Sequence, residues 1–93
     1  MNDKSEIIEK IKRYIVKSSF SQSEDVQNDT LIFENSLLDS MGFLFLIDFL
    51  KEEFLIEIED SELVDDNFKS INNIVEFVLQ KLEKKKLKAE PLN

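Results

Sequence analysis

The run Asp39-Ser40-Met41-Gly42-Phe43-Leu44-Phe45-Leu46-Ile47-Asp48-Phe49-Leu50-Lys51-Glu52-Glu53-Phe54 sets a small polar turn in front of the most apolar stretch of the chain, and its reading decides the fold. Phe43, Ile47, Leu50 and Phe54 recur at offsets of four, three and four, the spacing of one helix face. Met41 and Leu44 widen that side into the broad stripe of a core helix. The Asp39 side chain is suited to accept from the first free N–H groups, and no strong helix signal runs through Asn35-Ser36, so the helix begins near Asp39 or Ser40. A serine there is either a cap or a reactive handle. At the positive end of a helix, a phosphate esterified to its oxygen meets unsatisfied N–H groups and a favourable dipole.

Upstream, Asp3 followed by Glu6 resembles a capping box, and Ile7, Ile8, Ile11, Tyr14 and Ile15 share a face, which predicts a helix from about Lys4 to about Lys17. Residues 18–38 are rich in Ser, Asn, Gln and Asp but carry Phe20, Val26, Leu31, Phe33, Leu37 and Leu38, as expected of an ordered loop pinned by its apolar side chains. Downstream, Leu55-Ile56-Glu57-Ile58-Glu59 alternates like a strand but has no partner elsewhere, so it reads as an extended connector. Between Asp60 and Ser70, Leu63, Val64 and Phe68 support one or two short helical turns, with Asp65 or Asp66 near a cap. Ser70 then caps a last helix with Ile71, Ile74, Val75, Val78 and Leu82 on its buried face, ending near Lys85, where lysines suit the negative end of the dipole. The expected fold is all-α: a small four-helix bundle of three main helices and one short one, with a long loop between the first two. Residues 1–86 form the bundle and 87–93, with Pro91, a solvated tail.

Ninety-three residues make one domain with a single modest core. Five of the twelve basic residues lie in the last thirteen positions, leaving residues 1–80 with seven basic and eighteen acidic side chains. Such a body is a poor match for nucleic acid, which needs clustered Lys and Arg, and a better one for a basic surface on another protein. With neither Cys nor His, the chain has no disulfide, thiolate nucleophile, Cys/His zinc site or serine–histidine pair. An EF-hand is excluded because the single Gly, Gly42, lies outside any Asp/Asn-rich loop. No apolar run reaches membrane-spanning length, and Met-Asn-Asp-Lys-Ser-Glu lacks the order of a signal peptide, so a cytoplasmic location is expected.

The stretch Phe33-Glu34-Asn35-Ser36-Leu37-Leu38-Asp39-Ser40-Met41 resembles the signature of acyl and peptidyl carrier proteins, and the similarity continues through Leu50-Lys51-Glu52-Glu53-Phe54, Ile56-Glu57-Ile58, Asn67-Phe68 and Ser70-Ile71. It covers roughly residues 29–78. An aspartate–serine pair is common by chance; its combination with the core helix and the Asn-Phe-x-Ser-Ile element at the right distance is specific. The resemblance implies that Ser40 is the attachment point of 4′-phosphopantetheine, placed there from coenzyme A by a separate magnesium-dependent phosphopantetheinyl transferase. Asp39 then supports the serine and helps hold the transferase's metal. The implied protein is a monomeric carrier with no catalysis of its own. Its partners are a loading ligase or synthetase for acyl or aminoacyl groups and a downstream transferase or synthase, which exchange thioester-bound intermediates.

Four departures from the family pattern carry information. Ser36 stands where the family usually has Gly, which suggests a different backbone before the site, and Met41 replaces Leu, a swap cores tolerate. Phe45 occupies a position where many carriers place a docking glutamate, and Lys51 also replaces an acid. Burial against the loop or tail is the simpler reading of Phe45 and Phe49; the alternative is an exposed, partly hydrophobic docking surface of Met41, Leu44, Phe45, Asp48, Phe49 and Glu52. Ile58, Leu63 and Phe68 are candidates to line a space for an acyl chain. The changed second helix favours a dedicated pathway over fatty-acid biosynthesis. An unmodified carrier-fold interaction module is the alternative, and a hydrolase is disfavoured because no base accompanies the serine.

Overall fold

The computed structural model describes residues 3–19 and 26–89, with side chains through residue 85. Its helices are α1 (Lys4–Ser19), α2 (Ser40–Phe54), the one-turn α3 (Asp65–Phe68) and α4 (Ile71–Ala89), with a 3-10 turn at Asp60–Glu62. No strand occurs among the described residues, so the molecule is an all-α bundle and the segment after α2 is an extended connector. No helix among them is long and apolar enough to cross a membrane.

Each helix start follows from its local chemistry. Asp3 accepts the Glu6 N–H at 2.8 Å and opens α1. At α4 the Ser70 hydroxyl, itself buried, donates to Asn73 Oδ1 at 2.6 Å while accepting the Asn73 N–H at 3.3 Å. The end of α2 is unusual. Leu55 takes the left-handed conformation (φ 52°, ψ 48°), and the N–H of Ile56 returns to the Lys51 carbonyl at 3.3 Å. The Lys85 ammonium, from α4, donates to the Leu55 carbonyl at 2.7 Å. Lys85 therefore serves the end of α2, not the end of its own helix, which continues to Ala89; the expected stop near Lys85 was short because Leu87, Lys88 and Ala89 are all good helix formers. Of the expected tail, residues 90–93 lie outside the described residues.

Ile7, Ile11 and Ile15 of α1 are fully buried against α4, whose Ile71, Ile74, Val75 and Val78 face them, while Leu82 is half-buried. Phe77, not assigned to that stripe by spacing, is also buried because α3 packs on a second face of α4. Four aromatic rings run in series: Phe33 meets Phe43 edge-on at 5.5 Å, Phe43 meets Phe68 at 5.3 Å, and Phe68 meets Phe77 at 5.1 Å.

The stripe of α2 differs from expectation. Leu46, Ile47, Leu50 and Phe54 are buried and Phe43 is half-buried, but Met41 and Leu44 are 59% and 54% exposed. The helix is apolar on nearly every side, so periodicity leaves several faces eligible; packing against α1 and α4 selects the one carrying Leu46.

The described part of the long loop, residues 26–38, is ordered by burial and by backbone bonds. Val26 and Ile32 are fully buried and Leu38 nearly so. The Ile32 N–H donates to the Lys69 carbonyl, and the Asn72 N–H to the Asn28 carbonyl, both at 2.9 Å, which ties the loop to the junction of α3 and α4. Ile32 is an anchor that the irregular spacing concealed. Phe20, one of the six expected anchors, lies outside the described residues.

Candidate functional site

Residues 31–36 make a single helical turn closed by two backbone bonds: Leu37 N–H to the Ile32 carbonyl at 2.9 Å and Ser36 N–H to the Phe33 carbonyl at 3.1 Å. This pair defines a Schellman closure, whose penultimate residue must be left-handed, and Ser36 has φ 56°. Ser36 holds the conformation a glycine prefers, at a cost of roughly 1 kcal/mol. The turn delivers Leu38 into the core and Asp39 to the start of α2.

Asp39 is extended (φ −94°, ψ −171°), and its Oδ1 accepts the Gly42 N–H at 2.7 Å. Gly42 leaves room for this bond: a Cβ there would lie 3.2 Å from Asp39 Oδ1 and 3.3 Å from Leu38 Cδ2. Ser40 is the first residue of α2, is exposed, and its hydroxyl makes no hydrogen bond to the described residues. The cap is thus Asp39, and the serine hydroxyl takes no part in it. The N–H groups of Ser40 and Met41 remain without intrahelical partners, as in any first turn.

Ser40 stands at the lip of an open cleft of about 630 Å³ between the loop, the start of α2 and the α3 region. Its walls are Phe33 and Leu38 from the loop, Phe43 and Leu44 from α2, and Leu63, Val64 and Phe68 from the segment ending in α3, with Asp39 and Asp65 at the edge. Two side-chain amides fix that last wall. Asn67 Nδ2 donates to the Glu62 carbonyl at 2.8 Å, and Asn73 Nδ2 to the Asp66 carbonyl at 3.1 Å. Behind it, Glu62 accepts the Glu59 N–H at 2.9 Å and pairs with Lys81, whose ammonium also stands 5.7 Å from the Phe77 ring centre. The Glu59 N–H first, and Lys81 second, hold the Glu62 carboxyl below its ordinary range.

Of the three residues expected to line an apolar space, Leu63 and Phe68 do so, but Ile58 does not; it is half-buried elsewhere. Phe33, Phe43 and Val64 line the cleft and were not anticipated. For Phe43 the signal was its position one turn after Ser40; for Val64 and Phe33 only the tertiary fold provides it.

The six expected docking residues all lie on α2. Phe45, Asp48, Phe49 and Glu52 share a groove with Tyr14 and Glu53 on the α1 side of α2, Leu44 lines the cleft of Ser40, and Met41 is exposed. Phe45 is 57% exposed, contrary to the simpler expectation of burial. Phe49 is half-buried, stacked on Tyr14 of α1 at 4.2 Å with planes 15° apart. Glu53 binds Lys10 at 2.9 Å, with Glu6 also near, and the Glu53 bond raises the Lys10 ammonium above its ordinary value. Asp48 and Glu52 are exposed and pair with no cation among the described residues.

No cluster of His, Cys, Asp and Glu among the described residues is arranged to hold a metal ion. No family model matches the chain, and no curated protein matches it.

Proposed function

We propose that this protein is a carrier protein, modified with 4′-phosphopantetheine on Ser40, which presents acyl or aminoacyl groups to partner enzymes and catalyses nothing itself. One observation supports this most directly: Ser40 is exposed, relieved of capping by Asp39, and placed at the lip of an apolar cleft. A serine used only as a cap would hold the bond that Asp39 holds.

The donor set around Ser40 suits the group. A phosphodiester on its oxygen faces the free N–H groups of Ser40 and Met41 and the positive end of α2, and the cleft beside it accommodates an apolar continuation. When bound, the arm supplies the thiol that the chain lacks and on which a thioester is carried. The chain's own residues position and present. Asp39 fixes the first turn and keeps a carboxylate beside the hydroxyl for the transferase's metal; Gly42 keeps that carboxylate in place; the Ser36 turn aims both. Activation of the hydroxyl falls to the transferase, since no side chain among the described residues hydrogen-bonds to it.

The exposed Phe45, with the exposed carboxylates of Asp48 and Glu52, forms the docking side, suited to a partner surface that offers both apolar and basic groups. That composition favours a dedicated pathway over fatty-acid biosynthesis. The same exposed face is what an unmodified interaction module would use, so the deciding test is covalent. Intact mass is measured before and after incubation with coenzyme A, magnesium and broad-specificity phosphopantetheinyl transferases. A gain of one phosphopantetheine unit in wild type and none in Ser40→Ala is expected. No gain with several transferases of verified activity would move the function to the interaction module.

A further inference from the structure

Building on the carrier reading of Ser40, we propose that the cleft beside it takes a short aryl acyl group and holds it at the surface, instead of admitting a long alkyl chain into the bundle. The back of the cleft is aromatic and closed. Phe33 and Phe43 meet edge-on, Phe43 meets Phe68 edge-on, and Phe68, fully buried, is pressed in turn against Phe77. A chain bound for the interior would have to displace Phe68, and beyond it Leu46, Leu50, Ile74 and Val78 are all fully buried in a packed core. Interiors of that density yield space only by moving side chains off their rotamers.

The rim of the cleft is the opposite in character. Leu44 and Val64 are 54% and 49% exposed, and both line the cleft together with Ser40. A flat ring in the cleft they line meets Phe43 and Phe33, where it can add one more edge-to-face contact to a series already built of them. A flexible alkyl chain covers the same rim without that contact and loses more conformational freedom on binding. The aromatic contact alone favours the ring by about threefold to tenfold. Asp39 and Asp65 at the edge leave the cleft without a cation to hold an anionic cargo, so a neutral ring is the better match.

The test needs no transferase. The chain has no cysteine, so Ser40→Cys offers a single tethering point at an exposed position, and methanethiosulfonate reagents attach a 2-phenylethyl or an n-octyl group there. The readout is the methyl spectrum by nuclear magnetic resonance. The phenyl adduct is expected to shift Leu44, Leu63 and Val64 while leaving Ile47, Leu50 and Val75 in place, and Val64→Asp, a change at a half-exposed position, is expected to reduce the Leu44 and Leu63 shifts by at least about half. The octyl adduct is expected to give smaller shifts at the rim and none in the core. Octyl-induced shifts at Ile47, Leu50 and Val75, or rim methyls unmoved by the phenyl adduct, would each overturn the proposal. Because the tether bypasses phosphopantetheine, these outcomes are separate from the mass test of the carrier reading.

Discussion

The division of labour between Asp39 and Ser40 makes a quantitative prediction. Asp39→Ala removes the acceptor that lies 2.7 Å from the Gly42 N–H and leaves the first turn of α2 uncapped, which costs about 1 kcal/mol within a range of roughly 0.5–2. For a chain of this length a loss of that size lowers the melting temperature by about 4–8 °C. Asp39→Asn keeps an acceptor of equal capping rank, so its stability stays within about 0.5 kcal/mol of wild type. Ser40→Ala removes an exposed hydroxyl that bonds to nothing among the described residues and installs a better helix former, so it is neutral to slightly stabilising, within about 0.5 kcal/mol. The assay is urea unfolding followed by far-ultraviolet circular dichroism, with the denaturant slope checked for constancy so that midpoint shifts report stability. The expected order, Ser40→Ala at least as stable as Asp39→Asn and both above Asp39→Ala, also ensures that a loss of modification in Ser40→Ala cannot be ascribed to unfolding. A Ser40→Ala variant as destabilised as Asp39→Ala would refute the reasoning, because it would make the serine a structural cap.

Three further outcomes follow from the geometry. Leu55→Gly and Ser36→Gly each relieve a left-handed residue; after the greater freedom of glycine in the unfolded chain is deducted, each is expected to stabilise by roughly 0.5 kcal/mol, whereas Leu55→Ala keeps the strain and is expected to gain nothing, as thermal unfolding of the three variants would report. Glu62, held below its ordinary value near 4.5 by the Glu59 N–H and Lys81, contributes stability that is present above that value and lost as pH falls through its lowered folded-state value. The gap between wild type and Glu62→Gln is therefore about 1 kcal/mol at neutral pH, and it closes on acidification in pH-dependent urea titrations. Phe68→Ala, which empties the site between Phe43 and Phe77, costs about 3–5 kcal/mol and opens the back of the cleft, measurable as lost stability and as binding of an apolar fluorescent probe that wild type excludes.

Local chemistry made much of this protein legible from its residues alone. The three long helices follow from apolar periodicity, the caps at Asp3, Asp39 and Ser70 from residue type, and the candidate serine from its place at the head of the most apolar run. These features depend on neighbours within one or two turns, so one dimension suffices to find them. What remained hidden depends on contacts between distant segments. Periodicity could not choose among the faces of an almost wholly apolar α2, and only packing against α1 and α4 buried Leu46 while leaving Met41, Leu44 and Phe45 in solvent. Nor could it show that Ile32 anchors the loop at Lys69, that Lys85 serves the end of another helix, or that Phe33, Phe43 and Val64 converge beside Ser40. The position of the candidate serine is thus a property of the sequence; the shape of the cleft beside it is a property of the tertiary structure, because a cavity exists only where elements far apart in the chain meet and stop short of closing.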